Sequence, residues 1–180
     1  MPELWDAYDK EGNKLGFDLV RGEPIPEGVY NLVVQVFAVS ADGKVLITQR
    51  DPRKPHGLQW EVTGGAVCKG EDEVQGAVRE LLEETGLVIG AEQLIRIDLK
   101  FCENPGGYHT LYYTFLTFFD PARQTIRMQE GETVEYRLMP YEEFCEFVLT
   151  EAYVESLREH FLEDKPVIDR LIREHLAQRE

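Results

Sequence analysis

Between Gly65 and Leu87 the chain reads G-A-V-C-K-G-E-D-E-V-Q-G-A-V-R-E-L-L-E-E-T-G-L, a stretch that specifies a helix with marked ends. Asp72 is placed to cap the N-terminus, with Gln75 three residues on to complete a capping box. Gly86 suits the left-handed position that closes the C-terminus. With Glu80 as zero and ~100° per residue, Val74, Ala77, Val78 and Leu81 fall between about +60° and +160°. On the same scale Glu84 lies near +40° and Glu83 near −60°. One side of the helix is therefore apolar, and a narrow group of carboxylates stands beside it. Gly76 in the interior costs about 1 kcal/mol relative to alanine. Arg79 lies one turn before Glu83 and can hold that carboxylate in place. Gly64, Gly65 and Gly70 make a preceding loop that can bring backbone groups close to a ligand.

The stretch packs six carboxylates into 23 residues, and Glu80, Glu83 and Glu84 fall within about one helical turn. Like charges this close repel by a few tenths of a kcal/mol per exposed pair. A hard divalent cation relieves that repulsion, and Mg²⁺ typically combines a few carboxylates with substrate phosphate oxygens. A lone Glu-Glu pair reads as a solvated acidic face. Here the spacing is far more specific. Gly65, Glu71, Arg79, Glu80, Leu81, Glu83, Glu84, Gly86 and Leu87 fill every fixed position of G-x5-E-x7-R-E-U-x-E-E-x-G-U, with U aliphatic. The stretch thereby resembles the Nudix box. That resemblance implies an α/β fold, an α/β/α sandwich around a mixed β-sheet. It also implies cleavage, with Mg²⁺ or Mn²⁺, of a diphosphate linked to another moiety. Glu80, Glu83 and Glu84 are the metal ligands it implies, joined by the Gly65 carbonyl. Arg79 orients the carboxylates, and Glu71 supports the loop or the outer metal shell.

Charge agrees with a metal-bound substrate. With 34 acidic against 19 basic residues, the net charge is −15. Such a field repels a free polyanion, and it argues against nucleic acid as a partner, whose phosphates call for a basic surface. At 180 residues and 43% hydrophobic, the chain can bury a proper core. It has no apolar run of ~20 residues for a membrane span. Its first residues, Met1-Pro-Glu-Leu-Trp-Asp, lack the regions of a signal peptide. Cys68, Cys102 and Cys145 are odd in number and widely spaced, which suits reduced thiols in a cytoplasm.

The pattern along the chain predicts an N-terminal hairpin over Leu4–Leu19 that turns near Lys10–Asn13. Strands follow at Val29–Val39 and Lys44–Gln49, joined by Ala41-Asp42-Gly43, and at Leu58–Thr63 before the box. Two more, at Leu94–Cys102 and Tyr108–Phe119, flank a turn at Asn104–Gly107, and Glu132–Met139 is the last. From Tyr141 the pattern is helical, and Pro166 is expected to divide a final helix, Val167–Gln178, from its predecessor. The expected division is residues 1–28 as a hairpin extension, 29–145 as the Nudix domain with its box at 65–87, and 146–180 as C-terminal helices. Those helices pack on the domain or mediate a homodimer.

Outside the box, Arg50 resembles an arginine that meets substrate phosphate in Nudix proteins, and it equally fits an ordinary strand-end arginine. Glu132 and Glu135 resemble the family's E-x-x-E stretch, where one carboxylate acts as general base or added ligand. Tyr108 and His109, beside the glycine turn, are candidate substrate contacts. Tyr112 and Phe101 fit either base stacking or the sheet. Trp60 reads as core and Cys68 as a small loop residue. The front half, Trp5–Gly12 and Arg21–Asn31, is similar to bacterial Nudix proteins related to isopentenyl-diphosphate isomerase. That raises allylic isomerisation as an alternative. However, Trp60–Gly65 lacks the isomerase cysteine, and Asn31 stands where a metal-binding histidine is expected. A catalytically inactive ligand-binding protein is the third reading. The reading favoured is a metal-dependent pyrophosphohydrolase acting on a nucleoside diphosphate derivative or a related compound.

Overall fold

A computed structural model describes residues 2–103 and 109–178. The hairpin pairs β1 (Leu4–Tyr8) with β2 (Lys14–Val20). Its turn is held by the Asp9 carboxylate, which accepts from the backbone N–H groups of Glu11 and Asn13. Val-rich β3 (Asn31–Ser40) runs parallel to β8 (Thr110–Phe119) along its whole length. β7 (Ile95–Cys102) pairs antiparallel on the far side of β8. On its other side β3 meets β4 (Lys44–Arg50) only at Val39–Val45. From there the sheet divides. β4 continues against β5 (Trp60–Glu61) and β9 (Thr133–Pro140), while β3 continues against β6 (Thr63–Ala66).

Alternation along β3 sends its side chains into two cores, as period two requires. Val34, Val36 and Ala38 pack with Ala77 and Leu81 of α1 (Glu73–Thr85). Phe37 and Val39 pack with Phe144 of α2 (Tyr141–Phe147) and with Phe161, Ile168 and Ile172 of α3 (Glu155–Ala177). The result is the expected α/β/α layering. Trp5, Ala7, Leu19 and Val29 form a third, smaller core inside the hairpin region.

Two expected elements differ. The single strand at Leu58–Thr63 is two short ones, because the chain changes partner from β4 to β3 at Val62. Pro166 does not divide the last helix, since α3 runs through it. Proline removes only the bond to the carbonyl of Leu162, a residue on the exposed side (46%), and the buried Phe161 and Ile168 anchor the helix on either side. The turn expected at Asn104–Gly107, and Tyr108, lie outside the described residues.

Gly76 has a packing reason. A Cβ there would fall 2.7 Å from a methyl of the buried Val67. Gly76→Ala is therefore expected to lower the melting temperature, since overpacking of about 1–3 kcal/mol outweighs the ~1 kcal/mol of helix propensity gained. Thermal unfolding checks this, and an unchanged or raised Tm contradicts the close approach of α1 to the loop.

Candidate active site

The helix that carries the carboxylates is fixed at both ends. Asp72 accepts from the Gln75 N–H at 2.8 Å, and the Gln75 side chain accepts from the Asp72 N–H at 2.9 Å. Gly86 adopts φ 72° and donates its N–H to the Leu82 carbonyl. Arg79 ties this helix to the glycine loop. Its guanidinium donates to both Glu71 oxygens at 2.8 and 2.9 Å and to the Ala66 carbonyl at 3.0 Å. It also donates to Glu80 at 2.7 Å and to Glu83 at 3.2 Å. Burial opposes the Arg79 charge, but the hydrogen bonds from Glu71 and Glu80 more than offset it and raise its pKa. Glu71 in turn accepts from the Cys68 N–H. Gly65 sits against Glu80 so closely that a Cβ would lie 2.5 Å from the carboxylate, so a side chain there would displace the Glu80 carboxylate.

Glu84 is the anomaly of the helix. Expected beside the buried side, it is itself buried (8% exposed), and its Oε2 has no hydrogen-bond partner. Burial, together with the neighbouring Glu61 and Glu80 carboxylates, holds its pKa well above the usual range. Burial likewise raises Glu61 and Glu80. Among the described residues no three such side chains are spaced to grip a metal ion as they stand. Arg79 holds Glu80 and Glu83. The chemistry nevertheless fits a cation: an orphaned buried oxygen with two further carboxylates beside it is stabilised by positive charge.

These groups open onto a cleft of about 380 Å³. Glu80, Glu83, Glu84 and Gly64–Ala66 supply one part of its lining, Arg50, Lys54, Glu61, Gln129 and Glu132 another, and Glu3 and Arg21 of the hairpin region a third. Arg50 is no free strand-end arginine. It meets both Glu61 oxygens at 2.5 and 2.7 Å and donates to the Pro55 carbonyl at 2.8 Å. Lys54 pairs with Glu132. Burial, then Arg50 and Arg21, pulls the Lys54 pKa down.

Of the two candidates for general base, the structure brings only Glu132 to the cleft. Glu135 lies in β9 opposite Gln49, is half exposed and pairs with Arg137 at 3.2 Å. His109 is half-buried beside Tyr30, with ring centroids 5.8 Å apart, and does not line the cleft. Tyr112 is buried against His160, and Phe101 is exposed. Cys68 lines the cleft, with burial raising its thiol pKa. Glu3, Arg21, Glu61 and Gln129 escaped the sequence reading. They belong to no fixed spacing, and nothing local in the sequence marks them.

The raised carboxylates fix the sign of a pH effect. Their folded-state pKa values exceed the unfolded ones, so the folded state holds extra protons, and stability falls as pH rises through that window. In chelator, acidification from mildly alkaline pH toward the ordinary carboxylate range is expected to raise Tm. Further acidification reverses this as Asp51, held at about 2 by Arg53, and the lowered Glu71 and Asp6 lose their charge. A Tm that falls steadily from pH 8 downward contradicts the buried cluster.

A family model for the NUDIX domain matches residues 29–164. An uncharacterized Nudix hydrolase of Listeria monocytogenes is 29% identical over 147 residues, spanning 78% of this chain and 82% of that protein. A solved Deinococcus radiodurans structure superposes with a TM-score of 0.72 at 20% identity, covering 89% of this chain and 98% of its own. The NUDIX domain of Shewanella oneidensis NrtR, solved with ADP ribose, gives 0.61 at 16% identity, covering 79% and 88%. At these identities the two structures testify to the fold, whereas the match to the domain spans most of the chain. Together with the box helix, it shows that the chain belongs to the Nudix family of hydrolases.

Proposed function

We propose that the cleft hydrolyses the diphosphate linkage of a nucleoside diphosphate derivative or related compound. The observation that carries this reading is the unpartnered buried oxygen of Glu84, beside Glu61 and Glu80 in a cleft that also presents Arg50 and Lys54. Glu80, Glu83, Glu84 and the Gly65 carbonyl are the groups that would hold Mg²⁺ or Mn²⁺. When bound, such an ion supplies charge neutralisation on the phosphate oxygens and a water of lowered pKa.

The chain's own residues do the rest. Arg79 holds Glu80 and Glu83 in place, and through Glu71 fixes the loop that presents Gly65. Arg50 and Lys54 offer cations to the phosphates, and Arg50 is pre-oriented by the Pro55 carbonyl. Glu132, steadied by Lys54, is the carboxylate outside the helix placed to take a proton from water. The resemblance of residues 3 to 140 to isomerase-related proteins is one of framework. Asn31, at the histidine position of the isomerase, is buried and accepts from the Thr110 hydroxyl at 2.9 Å. Cys68, Cys102 and Cys145 are unpaired, which suits a cytoplasmic enzyme.

Product formation from nucleoside di- and triphosphates, nucleotide sugars, dinucleotides, coenzyme A and isopentenyl diphosphate, with Mg²⁺ or Mn²⁺, tests this reading. At least one substrate is expected to turn over. Glu83→Gln is expected to reduce that rate by about 100-fold or more, the scale of losing a group that positions charge in the transition state, with Tm unchanged. Full activity in Glu83→Gln contradicts the assignment.

A further inference from the structure

Two charged side chains of the cleft come from outside the three layers. Arg21 follows β2, and Glu3 precedes β1, yet both line the same cleft as Glu80, Glu83 and Glu84. The placement is built. The Arg21 N–H donates to the Glu3 carbonyl at 3.0 Å, and its guanidinium meets the Glu3 carboxylate at 2.7 Å. Glu3 also accepts from the indole N–H of Trp5 at 2.7 Å, and Trp5 is anchored in the hairpin core. The hairpin therefore positions a cation over the box. Arg21 and Arg50 both bear on Lys54, so the three cations share one region of the cleft.

Each of these cations has a carboxylate partner: Arg21 has Glu3, Arg50 has Glu61 and Lys54 has Glu132. They differ in how firmly they are held. Arg50 and Glu61 are 22% and 12% exposed, whereas the Arg21 side chain is 59% exposed. An exposed ion pair contributes little, so Arg21 changes partner at the least cost. Among the described residues, the lining of the cleft carries no aromatic ring and no aliphatic side chain beyond Ala66. It is a seat for phosphate groups and not for a base or a hydrocarbon.

We propose that Arg21 is a substrate-binding residue that grips the terminal phosphate of a substrate whose phosphate chain ends free, as in a nucleoside triphosphate. Glu3 holds it ready. A diphosphate capped at both ends carries one charge on each phosphate. A free terminal phosphate carries more charge and three unsubstituted oxygens, which the planar guanidinium engages two at a time. The inference rests on reading the cleft as a diphosphate site and adds which end of the substrate meets the hairpin.

Calorimetric titration of the full chain tests it, with Ca²⁺ in place of Mg²⁺ to hold back turnover. Inorganic tripolyphosphate is the probe with free ends, and ADP-ribose the one capped at both. Arg21→Ala is expected to weaken tripolyphosphate about ten-fold or more, the loss of one charge-assisted hydrogen bond, with ADP-ribose within about two-fold. Arg21→Lys should fall between Arg21→Ala and the unaltered protein. Glu3→Gln should tighten tripolyphosphate, because it frees the guanidinium. The inference is overturned by an unaltered protein that does not bind tripolyphosphate, by unchanged affinity in Arg21→Ala, or by equal losses for both ligands. A Glu3→Gln loss that mimics Arg21→Ala also overturns it, since the pair would then only hold the hairpin. Failure of the hydrolytic reading appears elsewhere, as absence of turnover across the substrate panel with Mg²⁺.

Discussion

Five hydrogen bonds radiate from the Arg79 guanidinium, and they join the three parts from which the site is made. The Ala66 carbonyl ends β6, Glu71 belongs to the loop, and Glu80 and Glu83 belong to the helix. The loop strand, through Gly65, is seated on β3 at Val34. A planar donor fork is suited to this because it meets a carboxylate through two parallel bonds at a fixed angle. Without it, the loop and the helix would keep apolar packing, such as that of Val67 against Gly76, and lose these bonds. The same cation reduces the mutual repulsion of the carboxylates, so it serves both position and charge.

The cleft is a mosaic of opposite charges within a chain of net charge −15. Six carboxylates (Glu3, Glu61, Glu80, Glu83, Glu84, Glu132) and four cations (Arg21, Arg50, Lys54, Arg79) line it. Removing a charge from water costs several kcal/mol unless it is paired. Paired charges pack the cleft, and the exception among the described residues is the buried Oε2 of Glu84. On this account the pairs are placeholders. Cations that now hold carboxylates are available to phosphate oxygens, and the carboxylates to metal. The overall negative field discourages a bare polyanion, while the local cations give a neutralised one a defined seat.

The box helix was legible nearly to the residue because its signals are local. Asp72, Gln75 and Gly86 act within a turn of themselves, and the structure places all three as expected. The strands were legible from valine-rich runs and the Asp42-Gly43 turn. What the sequence concealed depends on tertiary partners. The change of partner at Val62 arises because β4 and β3 diverge after one contact. The raised pKa of Glu84 depends on its burial and then on Glu61, which no spacing links to the helix. Glu132 and Glu135 are indistinguishable by pattern. Only the β9 register, with Glu135 opposite Gln49, turns one of them away. Arg21 reaches the site because a hairpin folds back, a contact between residues far apart in sequence. The continuity of α3 through Pro166 shows that two buried anchors outweigh one lost backbone bond.

The central claim is that Glu84 is a buried carboxylate, costly to ionise where it stands, that awaits a cation. Thermal unfolding of Glu84→Gln beside the unaltered protein, each in chelator and in Mn²⁺, tests it most directly. A neutral amide removes the cost of ionising a buried carboxylate, so at mildly alkaline pH the variant is expected to melt higher in chelator and to lose most of the rise that Mn²⁺ gives the unaltered protein. A variant that melts lower in chelator and keeps the full Mn²⁺ rise would contradict the account.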